Sequence, residues 1–392
     1  MDIHQPKDYQ EFKLWLSRYD PKDSDPIHLV TKFILGINQY ITPLLRTSIW
    51  LPTQHPELWG TQIIWSESAG SQLFRRDQNI KSTETYLNTP GEAVHKARKP
   101  LRWRLDVPDE KLPFKMLIDI KNEGGTDYLI VPFHTDHISE QPWITFSTQQ
   151  KNGFNQHEIE LITDLCQPLS WKVRVMMAEM ATQSLLSVYL GANAAQRVMQ
   201  GQFIRGTGEP IHAVIWFCDL RNFTAMGDRL SPQKLVEELD HYFECMATPI
   251  ELHRGEILKF IGDAILAVFP YQPNQTDSGR QASFHAIDAA KSALNNLAEY
   301  SQISGSNMEA GIALHVGEVL YGNIGGSSRL DFTVIGAAVN ETARVESLCK
   351  GLAPILTTQS FAQLLPDIML KSVGVHELRG VQKAHELFTI VD

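Results

Sequence analysis

Two aspartates stand where apolar strands are predicted to end, and their type and placement suit metal chemistry. Asp219 follows the apolar run 211–217, and Asp263 follows Gly262 in a turn between two apolar segments. Either aspartate alone is explained as a loop cap or a turn residue. If neighbouring strands bring the two together, oxygen-only donors without His or Cys favour a pair of Mg²⁺ or Mn²⁺ ions, which suits displacement at phosphorus.

Four other polar residues lie on predicted helices or strands. Asn340 and Arg344 are four residues apart on a predicted helix, so they project from one face. A solvated stripe explains such a pair, but Arg and Asn aimed at phosphate oxygens would stabilise charge that develops in a transition state. Lys259 and Thr333 lie on strands that are otherwise apolar. Because a buried Lys is unfavourable without a partner, Lys259 either extends to the surface or meets an acceptor on a ligand.

The elements that must position these residues alternate in the second half of the chain. We predict a strand at 211–217, a helix that begins at Ser231-Pro232, a hairpin over 256–269, a helix over 281–300, a second hairpin over 309–324, a strand at 331–335 and a helix over 337–348. This β-α-β-β-α-β order is typical of a ferredoxin-like α+β sheet covered by helices.

The first half is predicted to be a separate α+β region. Helical spacing runs to about residue 40, and short strand-like segments follow at 62–65, 128–133 and 143–146. Asn155 and Glu158 form a capping box that starts a long helix, which Pro168 is expected to kink. The apolar stripe of this helix either packs on its own domain or forms a two-helix signalling stalk between two chains.

Length and composition limit the function classes. The chain has 392 residues, which we divide into a regulatory domain at 1–155, a connecting helix at 156–200 and a catalytic domain at 201–392. A net charge of −10 disfavours nucleic acid and acidic membranes as partners. The four cysteines form no CxxC pair, which fits a reducing compartment. The sequence has no apolar run long enough to span a membrane, and its start does not resemble a signal peptide. We therefore expect a cytoplasmic protein.

Taken together, the motifs of the second half resemble the catalytic domain of the class III nucleotidyl cyclases, from residue 211 to the end of the chain. The segment 217–224, FCDLRNFT, matches the family motif FxDLxxFT. The resemblance implies that Asp219 and Asp263 hold two Mg²⁺ or Mn²⁺ ions per active site. It also implies that Phe223 and Thr224, which complete the motif, contact the substrate.

The same resemblance assigns the remaining residues. Lys259 and Thr333 occupy the positions that select the base, in a combination that resembles adenylate cyclases with Thr at the second position. Asn340 and Arg344 match the pair that stabilises the transition state. The chain departs from the family where mammalian relatives hold a phosphate-binding Lys, because Val381 stands there. Arg379 or Lys383 is expected to bind the triphosphate instead.

The resemblance implies an adenylate cyclase that converts ATP to cyclic AMP and pyrophosphate at two sites shared by a homodimer. A guanylate cyclase and a non-catalytic nucleotide-sensing module remain as alternatives. Residues 126–154 look like the end of a GAF-type sensory domain, which implies a small-molecule or protein effector. We hypothesise that this domain rotates the helix near 176–189 and thereby changes how two catalytic halves meet.

Overall fold

The computed structural model describes residues 6–19, 25–83, 86–133, 140–366, 369–381 and 384–391. The chain divides into two compact units, Met1–Val188 and Tyr189–Asp392. Each unit has its own sheet, and the division supports a two-part organisation. The three domain ranges given above stay predictions.

The first unit is built around a six-stranded antiparallel sheet with the order β3-β2-β1-β6-β5-β4. Short 3₁₀ turns occur at Gln78–Ser82 and Asp109–Lys111. The elements are α1 (Tyr9–Arg18), α2 (Pro26–Tyr40), β1 (Arg46–Pro52), β2 (Leu58–Ser66), β3 (Gly70–Asp77), α3 (Pro90–Ala97), β4 (Leu101–Arg104), α4 (Lys115–Asn122), β5 (Asp127–Pro132), β6 (Trp143–Thr148) and α5 (Gln156–Leu190). The unit is α+β, as the sequence predicts, and its likeness to a GAF-type domain stays a prediction.

One face of this sheet packs against helices. Ile49, Ile63 and Ile144 from three neighbouring strands are fully buried in a cluster that includes Phe33 of α2. Since side chains alternate between the faces of a strand, the residues beside these isoleucines lie on the opposite face. That opposite face carries a cavity described below.

The long helix α5 begins with the predicted capping box. The Glu158 N–H donates to Asn155 Oδ1 over 2.9 Å, and the Asn155 N–H donates to Glu158 Oε2 over 2.8 Å. The helix continues through Pro168 without interruption. Its apolar stripe from Ile162 to Met177 is buried in the core of the first unit, which supports packing on its own domain for that part of the helix.

The second unit is built around an eight-stranded sheet. Its elements are α6 (Ala192–Met199), β7 (Gly208–Leu220), α7 (Phe223–Gly227), α8 (Pro232–Leu252), β8 (Glu256–Ile261), β9 (Ala264–Tyr271), α9 (Ser278–Ser304), β10 (Ala310–Gly325), β11 (Leu330–Ile335), α10 (Ala337–Leu348), β12 (Ile355–Thr358), α11 (Gln359–Ala362), β13 (Leu370–His376) and β14 (His385–Ile390). The chain order β7-α8-β8-β9-α9-β10, with the spatial order β10-β7-β9-β8, confirms the predicted ferredoxin-like α+β fold.

The predicted hairpin over 309–324 is wrong. These residues form one long strand, β10, and its hairpin partner is β11. The glycines inside β10 allow close packing. A Cβ at Gly317 would lie 2.5 Å from Ala338 Cβ, and a Cβ at Gly322 would overlap the Thr207 carbonyl oxygen.

Among the residues that the structure describes, none of the helices combines the length and the apolar character needed to cross a bilayer.

Candidate active site

The fold brings the two predicted metal ligands together. Asp219 is the penultimate residue of β7, and β9 begins directly after Asp263. Cys218 pairs with Ile265 across β7 and β9, so the two aspartates lie at the same end of neighbouring strands. Gly262 has a φ of +64°, in the left-handed region that glycine tolerates, and this conformation makes the tight turn that presents Asp263.

The two carboxylates influence each other. Burial raises the pKa of Asp263 to about 6, and a hydrogen bond with Asp219 and the charge of Asp219 add to this effect. Two carboxylates held this close repel each other when both are ionised, and a divalent cation would remove that repulsion. Within the described ranges, no cluster of three or more His, Cys, Asp or Glu side chains could hold a metal. The pair therefore fits Mg²⁺ or Mn²⁺ ions that take their other ligands from water and substrate phosphates.

A buried ion pair supports this end of the sheet, and sequence reasoning missed it. Arg221 Nη2 lies 2.9 Å from Glu346 Oε1 of α10, and the side chains are 15% and 4% exposed. The Glu346 oxygen has no aligned hydrogen bond, so the contact is an ion pair. Burial raises the pKa of Glu346 to about 7, Arg221 opposes this rise, and Asp219 and Asp263 reinforce it. The sequence did contain a hint of this ion pair, since Arg221 lies inside the motif 217–224.

Lys259 and Thr333 lie on strands that contact each other, β8 and β11. Lys259 Nζ donates a hydrogen bond to Asp331 Oδ2 in an ion pair whose side chains are 37% and 38% exposed. Thr333 is buried, two residues after Asp331 on the same strand. Lys259 therefore pairs with a carboxylate of the protein itself, whereas the sequence predicts either a surface position or an acceptor on a ligand.

The predicted transition-state pair lies on α10. Asn340 is exposed, and Arg344 is half-buried one turn later. A Cβ at Gly380 would lie 3.3 Å from Arg344 Nη1, so this glycine leaves space for the guanidinium group. Arg379, next to Gly380, is exposed, whereas Lys383 lies outside the described residues. Gly380, the neighbour of Arg379 in sequence, thus lies beside Arg344, and the choice between Arg379 and Lys383 stays a prediction.

The last two predicted substrate residues start α7. Phe223 is half-buried and packs against the main core of the second unit, which gives it a structural role. Thr224 is exposed beside it, close in sequence to Asp219. Its hydroxyl is thus accessible to a ligand.

Asp219 and Thr333 lie far apart along the sheet of one chain. Asp219 pairs with Gly311 near the start of β10, whereas Thr333 pairs with Gly322, eleven residues further along this strand. At about 3.3 Å per residue, that is roughly 36 Å measured along the strand. Within the described part of the chain, no hydrogen bond or ion pair joins Asp219 or Asp263 to Lys259, Thr333, Asn340 or Arg344.

The chain is similar to known nucleotide cyclases over its second unit. A family model described as the adenylate and guanylate cyclase catalytic domain matches residues 209–391. An adenylate cyclase of Anabaena cylindrica is 35% identical over 166 residues, which are 41% of this chain and 32% of that protein. The terminal-differentiation-specific adenylate cyclase of Dictyostelium discoideum is 29% identical over 186 residues, which are 45% of this chain and 8% of that protein.

This chain thus spans a third or less of the length of these two relatives. Among solved structures, the adenylyl cyclase CyaB from P. aeruginosa matches with 23% identity and a TM-score of 0.43, over 47% of this chain and 96% of that one. The guanylyl cyclase Cya2 matches with 29% identity and a TM-score of 0.41, over 47% and 93%. Residues 209–391 thus match the adenylate and guanylate cyclase catalytic domain, and the motifs placed above lie inside this match.

Proposed function

We propose that this protein is an adenylate cyclase that converts ATP to 3′,5′-cyclic AMP and pyrophosphate. The observation that carries the proposal is the arrangement of Lys259, Asp331 and Thr333 on the contacting strands β8 and β11. The resemblance assigns base selection to the positions of Lys259 and Thr333, and a hydrogen-bond donor beside a hydroxyl acceptor at these positions supports the proposal. The names of the Anabaena and Dictyostelium relatives support the same choice.

The donor pattern favours adenine over guanine. Lys259 carries three N–H donors, so it can donate to adenine N1 while it keeps its contact with Asp331. Guanine presents an N1–H donor at the same position, and two donors repel each other. The hydroxyl of Thr333 supplies an acceptor for the adenine amino group. This pair of side chains therefore disfavours a guanylate cyclase.

The chain's own residues position the triphosphate for attack by the ribose 3′-OH. Asp219 and Asp263 would hold two Mg²⁺ or Mn²⁺ ions, whose charge lowers the pKa of the hydroxyl and neutralises the phosphates. Arg344 offers a planar fork of donors to the phosphate oxygens as negative charge builds up. Asn340 lies one turn away on α10 and orients the ribose ring. Arg379 or Lys383 would bind the outer phosphates.

We place the active site at a homodimer interface. Thr333 and Asp219 lie far apart along the sheet of one chain, which supports a site in which one protomer supplies the aspartates and its partner supplies the base and transition-state residues. Large apolar side chains near Lys259 and Thr333 are exposed, which supports a covered surface. They are Phe260, Ile261, Leu320 and Ile335, at 50%, 46%, 44% and 52% exposed.

We also propose that the first unit regulates the second. Helix α5 exposes Trp171 and Val175 on the side opposite to its buried stripe, and this exposed face could pack against the same helix of a second protomer. An effector of the first unit would act through that face. If a variant that lacks residues 1–195 keeps basal activity, dimerisation and metal response unchanged, the regulatory role is wrong.

The four cysteines are unpaired, which supports a reducing compartment, and we propose the cytoplasm.

The first experiment incubates the purified protein with ATP or GTP, each with Mn²⁺ and with Mg²⁺, and separates the products by chromatography. We expect cyclic AMP from ATP and little cyclic GMP from GTP. Cyclic GMP as the main product would instead favour the guanylate alternative. Nucleotide binding without any cyclic product would favour a sensing module.

A mixing experiment tests the shared site. Asp263→Ala and Arg344→Ala should each remove most activity, while Arg280→Ala, an exposed arginine on α9, should not. In an equimolar mixture with free subunit exchange, half of the dimers are heterodimers with one intact site of two, so about a quarter of wild-type activity should return. If subunit exchange is demonstrated and no activity returns, the shared-site arrangement is wrong.

A further inference from the structure

A cavity of about 80 Å³ opens on one face of the sheet of the first unit. One water molecule requires roughly 10–15 Å³ of such space, so about six waters, or one aromatic ring with a small substituent, would fit. Aromatic and polar side chains share its lining, which includes Trp50, Trp59, Gln62, Arg76, Tyr86 and Trp143.

Three of these residues form a row across the sheet. Trp50 of β1 pairs with Gln62 of β2 on one side and with Trp143 of β6 on the other. Cross-strand partners point to the same face, so this row faces away from the core packed by α1, α2 and α5. The cavity therefore lies on the face opposite to that core, where Trp143 also packs against a smaller hydrophobic cluster that includes Val94 of α3 and Leu117 of α4.

Two hydrogen-bond donors in this row have no acceptor. Trp50 Nε1 and Trp143 Nε1 are buried without a partner in the described part of the chain, and Trp50 is only 3% exposed. Trp59, by contrast, donates its indole N–H to Glu140. Gln141 Oε1 is also unpaired, but Gln141 does not line the cavity. Since a buried donor without an acceptor is unfavourable, the two indoles are suited to an acceptor in the cavity.

The cavity also carries a positive charge. Gln62 Oε1 accepts hydrogen bonds from Arg76 Nη2 and Nε over 2.8 and 3.2 Å, and Gln62 Nε2 donates to Ser48 Oγ over 2.9 Å. These contacts fix the guanidinium group, but no carboxylate pairs with Arg76 among the residues described. Glu140 is balanced by Lys81 at 2.9 Å. Arg76 is therefore free to pair with an anion.

We propose that this cavity binds a small planar aromatic carboxylate. The ring lies against the indoles of Trp50 and Trp59, whose centroids are 4.5 Å apart. The carboxylate accepts from the free indole N–H groups and faces Arg76, because a charged acceptor forms the strongest such bonds. The site concerns binding alone and does not depend on the cyclase activity proposed above.

The test titrates benzoate into the full chain by calorimetry, without nucleotide, and uses benzamide as the neutral probe of the same shape. We expect one saturable site per chain with a Kd below about 1 mM, which is attainable for nine heavy atoms. Benzamide should bind at least about tenfold more weakly, since it lacks the charge. Absence of saturable benzoate binding, or equal affinity for the two probes, would overturn the proposal.

Variants locate the site. Arg76→Gln should weaken benzoate binding about tenfold or more and leave benzamide binding unchanged, which also shows that the cavity is intact. Trp50→Phe keeps an aromatic side chain, although a smaller one, and removes the N–H, so it should weaken benzoate binding severalfold. Arg75→Gln is the matched control, because Arg75 is exposed and does not line the cavity. Unchanged benzoate binding by Arg76→Gln would contradict the assignment.

Discussion

The ion pair between Arg221 and Glu346 links the end of β7 to helix α10 within one chain. Arg221 lies two residues after Asp219, and Glu346 lies on the helix that carries Asn340 and Arg344. If each active site is shared between two protomers, the two ends of this ion pair serve different sites. A change at one site therefore has a direct physical route to the other.

Loss of this ion pair should destabilise the second unit. Arg221→Ala leaves Glu346 buried without its partner, and breaking a buried pair in this way costs about 3–5 kcal/mol. For a unit of this size we expect the melting temperature to fall by roughly 6–20 °C, measured by calorimetry. Glu251→Gln, an exposed change on α8, is the control. The double variant Arg221→Met with Glu346→Leu should recover part of the loss, and a melting temperature unchanged in Arg221→Ala would contradict the pair's role.

Asp263 should make the metal-free protein less stable as the pH rises. Its folded-state pKa is raised from 3.8 to about 6, so its contribution to stability is present below about pH 4 and is lost as the pH rises through about 6. Asp263→Asn removes this loss. In EDTA, the melting temperature of the variant minus that of the wild type should therefore increase from about pH 5 to about pH 8.

Two controls accompany this comparison. Mn²⁺ should raise the melting temperature of the wild type more than that of Asp263→Asn, because the variant has lost one candidate ligand. Asp288→Asn, an exposed change on α9, should follow the wild type at each pH. A difference between Asp263→Asn and wild type that does not vary with pH would contradict the raised pKa.

Asp331 should act as a positioning residue for Lys259. Asp331→Asn weakens the ion pair, and we expect kcat/KM for ATP to fall by about three- to tenfold, mostly through KM. Both side chains are more than a third exposed, so the melting temperature should hardly change. Steady-state kinetics with ATP and GTP measure the effect, with Asp288→Asn as the control. A fall in kcat alone would argue against a role in base selection.

Much of the catalytic fold could be predicted from local signals. Ser231 caps α8 by accepting from the Lys234 N–H, with Pro232 in the first turn, as the sequence indicates. The turn at Gly262 and the capping box at Asn155 are equally local. Each of these signals requires only a few neighbouring residues, so tertiary context does not override them.

The pairs that support the site could not be predicted in this way. Lys259 and Asp331 are 72 residues apart, and Arg221 and Glu346 are 125 residues apart, so only the sheet topology brings them together. The misassigned hairpin has a similar cause. Glycine in a strand marks either a turn or a place where another part of the chain packs closely. In β10 the glycines allow close packing, against Thr207 and Ala338.

Gly311 should be required for the position of Arg221. A Cβ at this glycine would overlap the Arg221 guanidinium group and lie 2.7 Å from Glu346 Oε1. An exposed arginine would simply move aside, but this one would have to leave its buried partner. Gly311→Ala should therefore lower both the melting temperature and the cyclase activity, and it should add little to the effect of Arg221→Ala, because both changes disrupt the same contact.

Gly326→Ala is the matched control for this last prediction. A Cβ at Gly326 would meet no atom within 4 Å, and its backbone does not require glycine. Melting curves and single-substrate kinetics on the two alanine variants and on Gly311→Ala combined with Arg221→Ala complete the comparison. Fully additive losses in the double variant would mean that Gly311 acts through some contact other than Arg221.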